Sequence, residues 1–203
     1  MRKYELTDET KTLANGTVLH RIRAVKDFTL ADGKKVLAGD LGGWIEKENN
    51  LSHIGSAWVS GDAQVFEYAW IYGDARTSDY ARVYGDARIS DYARVSDYAR
   101  VYGNARISGD ARISDCARVY GNARISGDAE VKSIRDYAVF KNGWSSGRWF
   151  TYTRSNRTWK VGCFRGTGEE LIAKAYKDSE LSGKCYEAIV KAQETIDSVI
   201  DEK

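Results

Sequence analysis

Small and β-branched apolar residues alternate with polar ones through the middle of the chain, and the alternation is interrupted at a fixed interval. Alanine stands at 57, 63, 69, 75, 81, 87, 93, 99, 105, 111, 117, 123 and 129, thirteen times in strict six-residue register. Two residues after each comes Val, Ile or, once, Thr77. The unit reads Ala-Arg-Val-Tyr-Gly-Asp or a close variant. Ala in, Arg out, Val in and Tyr or Ser out is the period-two pattern of a strand of about four residues. Gly, Asp and Asn in the remaining pair tolerate the backbone angles of a tight corner. Period six with period-two alternation places Ala and Val on no common helical stripe, so a helix is excluded.

A longer period lies above the hexad. Val-Tyr-Gly-(Asp/Asn)-Ala-Arg recurs at 83–88, 101–106 and 119–124, and Tyr80, Tyr98 and Cys116 share another 18-residue column. Three hexads per coil predict a triangular prism whose faces are parallel sheets, with coils about 4.8 Å apart. The domain boundaries expected are an N-terminal cap over 1–56, the repeat over 57–131 and a further module over 132–203. The complete absence of proline fits a repeat whose strand amides must donate to the adjacent coil.

These residues resemble the hexapeptide-repeat, left-handed parallel β-helix family, whose motif is aliphatic-x-x-x-small-x; Val83 and Ala87 fill its two positions. The expected fold class is therefore mainly β: a left-handed parallel β-helix with an N-terminal cap and a small C-terminal α+β module. The left hand is implied by the resemblance alone. The segments 19–28 and 38–52 are also similar to the opening of a group of uncharacterised bacterial and prophage proteins, often labelled acetyltransferases by fold. Relatives of this β-helix are commonly trimers, so a homo-oligomer is expected.

Stacked coils would align nine outward arginines, Arg76 to Arg124, into three ladders of three. Such ladders suit a polyanion. The plainer reading is a solvated face neutralised by the corner carboxylates, and residues 57–131 favour it with nine Arg against eleven Asp plus Glu, a net of −2. Tyr84, Tyr102 and Tyr120 read first as a ladder covering one face and second as an oligomer interface.

The family's acyltransferases use a histidine base and bind the acyl donor between subunits. Only His20 and His53 are present. His20 lies in an alternating strand pattern and His53 just before the first regular hexad, so each has a structural reading, as a strand or a cap residue. Acyl transfer from acyl-coenzyme A at a subunit interface, with His53 or His20 as base, is the alternative function. Two histidines exclude a three-imidazole metal site within one chain. Cys116, Cys163 and Cys185 form no CxxC pair, which argues against a disulfide framework or a cysteine zinc site and fits a reducing bacterial cytoplasm. No metal or cofactor is expected, and no membrane partner, since no window approaches the length of a spanning helix.

After Val131 the register fails, and charge changes sign. Residues 132–168 carry eight Lys plus Arg against Asp136 alone, with eight aromatics interleaved. The stretch 148–164 alternates and reads as a hairpin turning near Ser155-Asn156. Cations between aromatics suit stacking on bases while pairing phosphates, which nominates Arg148, Trp149, Tyr152, Arg154, Arg157, Trp159, Lys160 and Arg165 as ligand-binding residues. Alternatively the aromatics bury against the last coil, and the cations are neutralised by the acidic segment 169–203. Gly162–Ile172 resembles a phosphate-cradling loop but lacks the Walker Lys-Ser/Thr, and Thr167 with Glu170 reads better as a capping box. A helix is predicted over 168–178 and another from about 181 to 200. In the latter Cys185, Ile189, Ala192, Ile196 and Val199 step 4-3-4-3, a seam for neighbouring chains or for packing within the module. The function expected is a non-enzymatic binding or scaffold protein of phage or prophage type. It presents the cationic-aromatic surface to nucleic acid, a nucleotide signal or an acidic host protein, counter-defence being one such role.

Overall fold

The computed structural model describes residues 2–202 and divides into two compact units, Met1–Asp136 and Tyr137–Lys203. The cap expected over 1–56 is thus continuous with the repeat, and the boundary falls at 136 rather than 131.

The first unit is a parallel β-helix with three hexads per coil. Strands 18 residues apart pair in parallel, Arg82–Val83 with Arg100–Val101 on one face, Arg88–Ile89 with Arg106–Ile107 on the second and Arg94–Val95 with Arg112–Ile113 on the third. All thirteen alanines and their thirteen β-branched partners are at most 1% exposed, so the alternation is the core. The paired strands are two residues long, shorter than the four expected. The alanine amide turns back onto the residue three before it, as in Ala81 N–H to Ser78 O at 3.2 Å. The next amide donates to the adjacent coil, as in Arg82 to Ala99 at 2.9 Å. These are the amides that proline would remove.

The residue two before each alanine, from Gly55 to Gly127, has positive φ without exception. Eight are glycines; the others are Glu67, Asp79, Asp91, Asp97 and Asp115, at φ of 53–60°. A left-handed conformation costs a non-glycine residue about 1–2 kcal/mol. Here the acidic side chain returns part of it by bonding the corner amide one coil on: Glu67 to Gly85 at 2.8 Å, Asp91 to Gly109 at 3.1 Å, Asp97 to Asp115 at 3.3 Å. A preceding serine adds a hydroxyl donor, as in Ser96 to Asp97 at 2.9 Å.

The coil starts earlier than the alanine series. Leu41–Ile45 pairs in parallel with Gln64–Val65, and Leu51 bridges Ile71. Ile45 and Leu51 are six apart, but Leu51 and Val59 are eight apart, so two extra residues enter this corner at 52–56. Each face therefore carries five levels. The hairpin of Tyr4–Thr12 and Val18–Ala24 extends the first face, Val18–Ala24 pairing antiparallel with Leu41–Ile45. Buried Lys3 donates to Ala57 O at 2.6 Å, and Tyr4 Oη to Leu51 O at 2.7 Å. Burial, reinforced by nearby Lys26, draws the Lys3 ammonium down to about 8.

In the second unit Tyr137–Lys141, Trp149–Thr153, Thr158–Val161 and Phe164–Gly166 form an antiparallel meander. Helix α1, Gly168–Asp178, opens on the expected capping box: Thr167 N–H donates to Glu170 at 2.9 Å and Glu170 N–H to Thr167 at 3.2 Å. Helix α2, Glu180–Asp201, is capped by Ser179. No described helix is long and apolar enough to cross a membrane.

Thr77 alone breaks the aliphatic column, and its buried hydroxyl finds no partner among the described residues. An unpaired buried hydroxyl costs about 1–3 kcal/mol. Thr77→Val, which keeps the shape and deletes the hydroxyl, is expected to stabilise the protein by an amount of that order in chemical denaturation. An unchanged or lowered midpoint would contradict this.

Candidate functional site

The meander has two faces, and its register assigns each side chain to one of them. One face carries the rows Ala138–Tyr152–Trp159–Gly166 and Phe140–Phe150–Val161–Phe164. Phe150, Tyr152, Trp159 and Val161 form a core with Leu171 of α1 and Val190 of α2. The other face carries the row Val139–Thr151–Lys160–Arg165 and the pair Lys141–Trp149.

This corrects the candidate surface. Tyr152 and Trp159, 5% and 2% exposed, are core rings that offer no stacking face. The Tyr152 hydroxyl donates to Asp197 of α2, and burial together with that bond drives it far above the usual phenol range. Arg154 pairs with Asp197 at 3.7 Å and with Asp201, so the acidic helix neutralises it as the plainer reading expected. The aromatics, however, bury within their own module. Arg157 is exposed in the hairpin turn at φ 47°, on a groove whose other lining includes Glu169, Glu194, Asp197 and Asp201. Arg148 lines a pocket of about 260 Å³ with Lys174, Asp178, Cys163 and Tyr186.

Three of the eight nominated residues, Trp149, Lys160 and Arg165, share the face of the sheet opposite the helices. Lys141, absent from the nominated set, joins them with its ammonium 5.6 Å from the Trp149 ring centre. Its signal was the strand period: 141 pairs with 149 and has the parity of 139 and 137. The face is open at its edges rather than its middle: Lys141, Trp149 and Arg165 are exposed, whereas Thr151 and Thr153 are 1% and 3% exposed.

Of the two readings of the α2 seam, packing within the module does not use it as a whole. The residues turned to the module are Gly183, Val190 and Gln193, all buried, with Tyr186 against the core and Asp197 bonded to Tyr152. Cys185 and Ile189 are partly buried at the edge of that stripe, while Ala192, Ile196 and Val199 are exposed. All three cysteines are free thiols.

On the β-helix the arginines stand in three ladders of three, as expected: 82–100–118, 88–106–124 and 76–94–112. The corner aspartates beside them serve corner amides, as described above. Ion pairs stand at both ends of the 76–94–112 ladder, Arg76 with Asp32 and Arg112 with Glu130 at 3.6 Å. Phe66, Tyr84, Tyr102 and Tyr120 stack at 5.0–5.3 Å within 13° of parallel, a continuous ring column on one corner. Desolvation, with Tyr102 beside it, raises the Tyr84 hydroxyl above its usual value.

His20 has Nδ1 3.4 Å from Thr7 O within the cap hairpin. His53 stacks on Tyr4 at 4.2 Å, and its Nδ1 accepts the Lys3 amide at 3.2 Å. A neutral imidazole accepting at Nδ1 carries its proton on Nε2. In this arrangement His53 offers a donor rather than a base. Its pKa is lowered, first by burial and then by Lys3 and Arg2, against the opposing pull of Glu48.

Residues 81–97, 99–115 and 117–131, three successive coils, match a family model described as the YdcK beta solenoid repeat. The repeat is similar to that solenoid. The match lies wholly within the first unit, and no curated protein matches the chain significantly. Nothing in the solenoid match bears on the second unit, where the candidate cationic surface lies.

Because the folded His53 imidazole titrates below its unfolded value of 6.5, the unfolded chain binds more protons as pH falls through that value. Its contribution to stability is therefore present above pH 6.5 and lost on acidification. His53→Gln, which cannot titrate, is expected to flatten the fall in urea midpoint between neutral pH and about pH 5. An identical slope in the variant would contradict the assignment.

Proposed function

We propose that the protein is a non-catalytic binding scaffold, in which the solenoid is a rigid support and the exposed edge formed by Lys141, Trp149, Lys160 and Arg165 of the C-terminal sheet takes an anionic partner. The observation that carries this reading is the Lys141 ammonium beside the Trp149 ring, with Lys160 and Arg165 on the same face of the sheet. Single-stranded nucleic acid is the class this chemistry fits best. A ring that is 36% exposed can stack on a base of any identity, and cations at strand spacing pair with phosphates. The resemblance of the N-terminal segments to prophage proteins supports a phage-type setting for that role. The exposed apolar residues of α2, Ala192, Ile196 and Val199, support association with a second copy.

The test is fluorescence anisotropy of a labelled oligothymidine as salt is varied. Binding is expected, and Lys160→Gln and Arg165→Gln should each lower the salt slope by about 1. Trp149→Ala should cost about 1–3 kcal/mol, and Arg157→Ala, in the acidic groove, should change little. Absence of binding at low salt, or equal losses for Arg157 and Arg165 variants, would reject the reading.

A further inference from the structure

The two extra residues at the first corner open a cleft of about 670 Å³ on the solenoid unit. That volume lies in the range of small-molecule sites, about 300–1,000 Å³. Two exposed aromatics stand in its wall: Tyr68, 76% exposed, and Trp70, 39% exposed. Both depart from their own columns. Trp70 pairs in register with Arg88, Arg106 and Arg124, and Tyr68 heads the 18-residue series Asp86, Asn104, Asn122. The coil is built equally well with a polar residue at either place, so stacking of coils does not require these rings. Trp58, the other tryptophan at an arginine position, has a structural reason, since it is buried against Tyr4 and Phe28. Trp70 is backed on one side by Tyr72 at 4.1 Å, which fixes its plane. Lys47 sits 4.8 Å from the Tyr68 ring centre.

The charge around the rings decides the ligand class. Lys47 and Arg88 are balanced by Glu48 and Glu67 on the same wall, and burial of His53 favours its neutral form. A nucleotide or phosphate would meet two carboxylates, and a cationic ligand two cations. A neutral ligand with many hydroxyls meets acceptors and donors of both kinds, with Asn49 exposed beside them. Flat aromatic faces among carboxylate, amide and guanidinium groups match a pyranose ring, which has an apolar C–H face and a polar rim. Glu67 is held for this role by its backbone: it occupies a left-handed corner, its amide donates to Glu46, and one carboxylate oxygen accepts from Gly85 at 2.8 Å. The geometry points to a binding site for a neutral oligosaccharide, stacked on Trp70 and Tyr68 and hydrogen-bonded by Glu67, Arg88 and Asn49.

The test exploits the repeat itself. A Trp70→Arg, Tyr68→Asn double variant installs the residues that the same columns already carry, so the coil is expected to keep its melting temperature. Maltohexaose, cellohexaose and the hexamer of N-acetylglucosamine are titrated against the full-length protein by calorimetry and tryptophan fluorescence. At least one is expected to bind with a Kd of about 1 mM or tighter, and the double variant should weaken it about tenfold or more. Arg88→Ala should weaken it as well. The inference is overturned if none of the three binds in that range, or if the folded double variant binds as the parent does. It is equally overturned if light scattering shows the parent self-associating and the double variant not, because the rings then face a second copy of the chain.

Discussion

Every sixth residue of the solenoid must turn in the left-handed region, and the rest of the first unit follows from that requirement. The turn bends the chain after two paired residues, so three turns close a coil and the fourth strand lands on the first. Stacking then copies each chemical choice vertically: alanines and β-branched aliphatics inward, arginines outward, rings on one corner. Glycine meets the requirement at no steric cost, and Asp or Glu meets it by bonding the next corner's amide. The corner acids Glu67, Asp91 and Asp97 are thereby committed to backbone amides one coil on.

The repeat was legible because its two periods, six and eighteen, are both written in residue types that the core demands. The earlier coil was not, because Ile45 and Leu51 sit two residues out of phase with the β-branched series that begins at Val59. That same slip is where the fold stops being regular and a cleft appears. Irregularity in a repeat is informative for this reason: Tyr68 and Trp70 are conspicuous only against the columns that Asp86 and Arg88 define.

The second unit was less legible. Its hairpin, both helices and the capping box could be placed from local signals, but the aromatic alternation does not say which face the helices will cover. Parity resolves it afterwards: 150, 152, 159 and 161 go inward, 141, 149, 160 and 165 outward. The stripe of α2 that packs within the module was not legible because it contains Gly183, Gln193 and Asp197, none of them apolar. Asp197 belongs there because Tyr152 needs an acceptor and Arg154 a counter-charge. Thus the eight nominated residues separate: Tyr152, Arg154 and Trp159 hold the module together, Trp149, Lys160 and Arg165 share the other face of the sheet, and Arg148 and Arg157 line separate pockets.

The corner phase is tested most directly by removing a coil. A variant lacking residues 99–116 deletes one full turn and restores every column, so it should unfold in a single cooperative thermal transition with its far-ultraviolet β spectrum intact. A variant lacking 99–115 shifts every corner downstream by one residue and turns the core residues outward. It should lose that transition. Equal stability of the two deletions would contradict the account.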